Sequence, residues 1–156
     1  MKKFLAVLAA FGLALSANAA DKTYKLKLAS TWESTSPVLG DAAKEFKRVV
    51  ETLSDGRLEV RIDYPSKHKA PFGILDFVKG GQYDIGYTAS YYYKGKDSNT
   101  MFFTAVPFGM TASELRAWYE FGGGKQLEEK VYDKYNIKVF NAGDTGTQMG
   151  GWFKKE

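Results

Sequence analysis

Tyr24-Lys25-Leu26-Lys27-Leu28-Ala29-Ser30, then the run from Ser36 to Leu53, then Leu58-Glu59-Val60-Arg61-Ile62-Asp63, is the stretch that decides the fold class. In the first segment Tyr24, Leu26 and Leu28 alternate with Lys25 and Lys27, the period of a half-buried strand. Ser36-Pro37 has the chemistry of a helix start, a hydroxyl cap followed by proline. Leu39, Ala42, Ala43, Phe46, Val49, Val50 and Leu53 then recur at helical spacing, and Gly56 is a suitable stop. In the third segment Leu58, Val60 and Ile62 alternate with Glu59, Arg61 and Asp63, a second strand that Pro65 should end. Strand, helix, strand in this order predicts a βαβ unit with parallel strands.

Further along, a basic loop (Lys67, His68, Lys69) precedes a short helix expected over Phe72 to Val78, closed by Gly80-Gly81. Tyr83 to Thr88 reads as a third strand. Thr111-Ala112-Ser113-Glu114 fits a capping box opening a helix that ends in Gly122-Gly123-Gly124. Gln126 to Tyr135 is again helical, Ile137 to Asn141 is an expected strand, and a last extended stretch runs from Gly146 through Phe153. The sum is an α/β domain with a largely parallel sheet.

The first residues have a different character. Lys2 and Lys3 precede an unbroken apolar run from Phe4 to Leu15, and Ser16-Ala17-Asn18-Ala19 ends it with an Ala-x-Ala pattern. That is the three-part build of a secretory signal, with cleavage expected after Ala19. The run is short of the ~20 apolar residues of a membrane span. Export leads to an oxidising space, yet the chain has no cysteine for a disulfide or for a lipid anchor. A periplasmic, untethered product is the expectation. The formal charge of +4 includes Lys2 and Lys3, so the mature chain is too weakly basic to argue for nucleic acid.

Catalytic chemistry finds little support. The single histidine, His68, lies in a lysine-rich loop, no G-x-S-x-G motif is present, and one His with no Cys excludes metal sites of His and Cys type. The glycines at 122–124 close a helix and lack a following Lys-Ser or Lys-Thr, so they are a turn and not a phosphate loop. Asp, Glu and Gln remain as oxygen ligands for a hard cation. Four clusters point instead to a small-molecule pocket. Trp32-Glu33-Ser34 follows the first strand and Ser90-Tyr91-Tyr92-Tyr93 follows the third, at the strand ends where open α/β sheets bind ligands. Phe102 to Met110 is an apolar loop. Thr145 to Phe153 mixes glycines and aromatics with the amide of Gln148.

Ser90-Tyr91-Tyr92-Tyr93-Lys94-Gly95-Lys96, Ala105-Val106-Pro107-Phe108-Gly109-Met110-Thr111, Ala117-Trp118-Tyr119 with Gly122-Gly123-Gly124, and Gln148-Met149-Gly150-Gly151-Trp152-Phe153 resemble the substrate-binding subunit of tripartite ATP-independent periplasmic (TRAP) transporters, in the DctP-like branch that takes 2-oxo acids and related monocarboxylates. The resemblance runs from about Tyr24 to the last residue. It implies a periplasmic-binding-protein-like lobe of type II-like build, the N-terminal part of a two-lobed clamp whose second lobe is missing. Residues 1–19 would be the signal peptide, 20–145 the first lobe, and 146–156 the start of a truncated inter-lobe crossing strand. It further implies capture of a small carboxylate such as pyruvate, a sodium or calcium ion bridging protein and ligand, and docking on membrane permease subunits for ion-gradient-driven uptake. By position, Gln148 would be a ligand to that metal, Tyr91 or Tyr92 would hydrogen-bond the solute, and Trp32 would line the cleft. The family's carboxylate-gripping arginine falls beyond Phe153, and Arg48, Arg57, Arg61 and Arg116 do not stand in for it. A sensor for a signalling partner, a non-functional fragment and, last, a secreted hydrolase built on His68 are the alternative readings.

Overall fold

The computed structural model describes residues 22–146 and Lys154. The expected signal peptide, the metal-ligand candidate Gln148 and nearly all of the expected crossing strand therefore lie outside the described residues.

β1 (Tyr24–Ser30) forms where the alternation places it, and β2 (Leu58–Asp63) pairs with it in parallel from Tyr24 opposite Leu58 to Ala29 opposite Asp63. β3 (Ile85–Tyr87) pairs with the other edge of β1, also in parallel, from Leu28 opposite Ile85 to Ser30 opposite Tyr87. The sheet order is thus β2-β1-β3. Pairing on both edges explains why β1 changes character along its length. Its first half is exposed except for the half-buried Leu26, Tyr24 included against expectation, whereas Leu28, Ala29 and Ser30 are all buried, as a central strand covered on both faces must be.

The connecting helices are α1 (Leu39–Leu53), α2 (Pro65–His68) and α3 (Ile74–Lys79). α1 packs against β2, and α3 packs against β3 and the end of β1. Two 3₁₀ turns follow the sheet, Ser90–Tyr93 and Ser98–Phe103. The chain then folds into α4 (Ala112–Phe121) and α5 (Gly124–Asp133). The capping box expected at Thr111 is present: its hydroxyl receives the Glu114 amide while the Glu114 carboxylate accepts from the Thr111 amide at 2.8 Å.

Several expectations shift. α1 begins at Leu39 and not at Pro37, because Glu33 to Val38 folds into turns and Val38 takes a left-handed φ of 63°. Gly40 lies so close to the Glu33 and Ser34 carbonyls that a Cβ there would stand 2.6 Å from the Ser34 oxygen. Phe46 and Leu53, expected on the inner face of α1, are exposed. The basic loop at 67–69 is the end of α2. β3 is shorter than Tyr83–Thr88, because the Asp84 carboxylate accepts the Lys27 amide and takes the place of a ladder bond. Gly124 opens α5 instead of closing α4, with Gly123 at φ 89° as the turn. Ile137 to Asn141 joins no ladder among the described residues, although Ile137 and Val139 pack on the buried cluster of Leu75, Tyr93 and Tyr132.

Candidate functional site

β1 and β3 are neighbours, yet the chain leaves β1 toward β2 on the far side and returns to β3 on the near side. That reversal opens a crevice at the carboxyl ends of β1 and β3. Thr31 and Trp32 leave β1 into it, and Thr88 to Tyr93 leave β3 into it.

The crevice floor is a hydroxyl relay. The Tyr93 Oη lies 2.9 Å from Thr88 Oγ1, Thr88 Oγ1 lies 2.8 Å from Thr31 Oγ1, and Thr31 Oγ1 lies 2.9 Å from the Pro71 carbonyl oxygen. Each hydroxyl carries one proton. Donation from Thr31 to Pro71 therefore leaves Thr88 to donate to Thr31 and Tyr93 to donate to Thr88. Tyr93 is 2 % exposed, and burial raises its pKa.

Above this floor stand the aromatic rings expected from the sequence. Trp32 meets Tyr87 edge-on at 5.0 Å and Tyr92 at 6.3 Å. Tyr92 also packs on Phe72 at 4.8 Å and on Tyr91 at 4.5 Å. Trp32, Tyr91 and Tyr92 are thus brought into one cluster. The Tyr91 hydroxyl donates to the Tyr92 oxygen over a long 3.4 Å. Burial, followed by that bond, pushes the Tyr91 pKa up to about 12. With Tyr91 as donor, the Tyr92 proton is directed elsewhere.

Tyr91 and Tyr92 form one wall of an open groove of about 660 Å³, with Phe72, Met101, Phe102 and Val106 supplying apolar surface and Lys94 the charge. The apolar 102–110 loop expected to matter is therefore represented, and Phe108 at its tip is fully exposed. Phe72 and Lys94 were not picked out by sequence patterning. Phe72 sits ahead of α3 instead of inside it, and Lys94 reads as one more solvated charge.

Two polar groups have duties other than those their sequence neighbourhoods suggest. The Glu33 carboxylate does not face the groove; it accepts the Ser66 amide at 2.6 Å and caps α2. His68 is not a solvated loop residue but half-buried. Its Nδ1 accepts from the Ala70 amide at 3.2 Å, which leaves the proton on Nε2, 2.9 Å from the Ser30 carbonyl oxygen. Its ring also meets Phe77 edge-on at 5.6 Å. With both nitrogens engaged by the backbone, it has no role as a general base here.

Asp63, expected on the polar face of β2, is 2 % exposed. Lys67 Nζ lies 2.8 Å from its Oδ1, and Arg61 Nη2 and Tyr83 Oη lie 3.1 and 3.0 Å from its Oδ2. Burial pushes its pKa up, but the bonds from Lys67 and Tyr83 and the charge of Arg61 outweigh it and hold the carboxyl low. Two further carboxylates are also occupied, Asp76 by Lys96 and Asp97 by Lys134. Among the described residues no cluster of three His, Cys, Asp or Glu side chains suited to a metal forms.

Residues 28–156 match the family of bacterial extracellular solute-binding proteins, family 7 (DctP). The chain is 38% identical over 130 residues to a monocarboxylate 2-oxoacid-binding periplasmic protein of Nostoc sp. strain PCC 7120, covering 83% of this chain and 35% of that one. A TRAP periplasmic solute-binding protein from Colwellia psychrerythraea, solved with calcium and pyruvate, superposes with a TM-score of 0.84 at 58% identity, covering 86% of this chain and 41% of that one. One from Pseudoalteromonas atlantica T6c, solved with sodium and pyruvate, gives 0.83 at 57% identity over the same shares. The chain therefore spans well under half the length of these relatives, and its sheet corresponds to one lobe of theirs. The aromatic crevice at the β1–β3 reversal is thus set in a scaffold of known kind: the chain belongs to the DctP family of extracytoplasmic solute-binding proteins, a family of receptors and not of enzymes.

Proposed function

We propose that this chain is the first lobe of a periplasmic receptor that captures a small 2-oxo monocarboxylate, pyruvate or a close relative, and presents it to the membrane permease of a TRAP transporter. The observation that carries this reading is the groove at the β1–β3 crevice, where tyrosine hydroxyls and one ammonium stand among apolar side chains. Such a mixture suits a ligand with one charged end and one apolar end. The relatives with 57% and 58% identity hold pyruvate. Trp32 lines the cleft beside the tyrosines, and Tyr92, whose proton Tyr91 leaves free, donates to the solute.

In the same reading Met1 to Ala19 is a cleaved export signal, residues 20–145 are the lobe, and 146–156 begin the crossing to a second lobe. Gln148 contributes an amide oxygen to a sodium or calcium ion, the ions held by those relatives together with pyruvate. A hard cation suits such an oxygen donor. The lobe itself orients the ligand and excludes water along the aromatic wall.

Calorimetry on the full-length product of the reading frame that encodes this chain tests the proposal. Pyruvate and longer 2-oxo acids would be titrated after chelation, then with calcium or sodium restored. Saturable, ion-dependent binding is expected. A product that binds no 2-oxo acid under either condition is not this receptor.

A further inference from the structure

Three lysines surround the aromatic end of the lobe, and two are neutralised. Lys96 pairs with Asp76 at 2.9 Å, and Lys134 pairs with Asp97. Among the described residues Lys94 has no carboxylate partner and is the one cationic residue lining the groove. The arginines are no substitute. Arg48 pairs with Glu45, Arg61 with Asp63, and Arg57 donates to the Ser54 carbonyl. None of them lines the groove.

We infer that Lys94 is the carboxylate anchor contributed by this lobe, receiving the charged end of the ligand while Phe72, Phe102 and Val106 take its apolar end. The inference rests on the receptor reading above and names a residue for it. Lys94 is exposed, so its charge costs little while the groove is open. Once a ligand enters and water leaves, a charge-assisted bond among apolar walls strengthens. The ammonium is a point charge on a flexible stem and can follow the carboxylate as the groove fills.

The test compares wild type, Lys94→Gln, Lys94→Arg and the remote Lys130→Gln in the full-length product. Calorimetry would use pyruvate and its neutral amide, pyruvamide. Loss of one charge-assisted bond should weaken pyruvate binding about ten- to a hundred-fold in Lys94→Gln. Lys94→Arg should retain most of the affinity, Lys130→Gln should bind as wild type, and pyruvamide should not distinguish Lys94→Gln from wild type. The assignment is overturned if wild type binds pyruvate and Lys94→Gln binds it within two-fold. It is also overturned if Lys94→Gln loses pyruvate and pyruvamide equally, which would mark a packing role. A wild type that binds neither pyruvate nor longer 2-oxo acids refutes the receptor reading itself, and Lys94 with it.

Discussion

The Thr31 and Thr88 hydroxyl oxygens stand 2.8 Å apart and tie the loop leaving β1 to the loop leaving β3. The two loops carry Trp32 and Tyr92, and this contact acts together with the bond from the Thr31 amide to the Tyr87 carbonyl oxygen at 2.9 Å in holding them side by side. Its energetic weight comes from what lies below it, since Tyr93 depends on Thr88 for its only acceptor within the relay.

Thr88→Val should destabilise the protein by about 2–3 kcal/mol, because it strands the buried Tyr93 hydroxyl without an acceptor. Adding Tyr93→Phe should recover a large part of the loss, since removing both partners costs less than removing one. Urea denaturation of the single and double variants measures this. Equal losses in the two would contradict the relay.

The tyrosine pair yields a second expectation. Tyr92→Phe removes the hydroxyl whose proton is free, and should weaken 2-oxo acid binding about ten-fold. Tyr91→Phe removes only the internal donor and should change affinity by no more than about three-fold. Titration calorimetry on the full-length product ranks them, and the reverse order would reassign the donor.

Gly40→Ala tests the entry to α1. Its new methyl would meet the Ser34 and Glu33 carbonyl oxygens at 2.6 and 2.7 Å, which are backbone atoms that cannot rotate away. A loss of about 1–3 kcal/mol is expected. The Trp32 loop precedes these residues directly, so its fluorescence should shift as well. A wild-type melting temperature would show that the turn yields freely.

Glu128, 5 % exposed beside Tyr119 and Tyr132, gives a pH signature. Burial raises its carboxyl pKa, and the Tyr119 hydroxyl only partly opposes this, without forming a hydrogen bond of good geometry. A raised folded-state pKa means a contribution that is fully present below the unfolded value, near about 4.3, and lost as pH rises through the folded value. Glu128→Gln should therefore be more stable than wild type at pH 7, by about 1 kcal/mol, and nearly equal to it at pH 4. Thermal melts at the two pH values decide; a variant less stable at pH 7 would mean the carboxylate is well satisfied.

The export reading makes a direct demand. Mass spectrometry of the protein from a periplasmic extract should find a mature chain beginning at Ala20. An intact Met1 in that fraction would refute cleavage after Ala19.

The parts of this lobe that could be read from sequence are those where short-range chemistry decides. The alternation in Tyr24–Ser30 and Leu58–Asp63 and the Thr111–Glu114 capping box each needed only neighbours along the chain. The clustering of Trp32, Tyr91 and Tyr92 was legible for a related reason: they sit immediately after strands, where open sheets place their pockets, whereas Phe72 does not. Asp63 was misread because period-two logic puts it outward, whereas Lys67, Arg61 and Tyr83 together make its burial tolerable. Those partners come from three separate positions along the chain. The position of Lys94 on the groove was not legible, because a charge after a tyrosine run looks solvated until the groove beside it is seen. The start of α1 slipped by two residues because Glu33 to Val38 folds into turns and Val38 takes a left-handed φ, which a Ser-Pro start does not announce.

His68 is the only histidine in the sequence, and its Nε2–H points at the carbonyl of Ser30, two residues before Trp32. The protein thus carries one imidazole, wired by hydrogen bond to the end of the central strand and standing outside the groove. Its proton and nitrogen resonances form an isolated spectroscopic channel. They can report whether the crevice is filled without a label, a substitution or any perturbation of the ligand-facing surface.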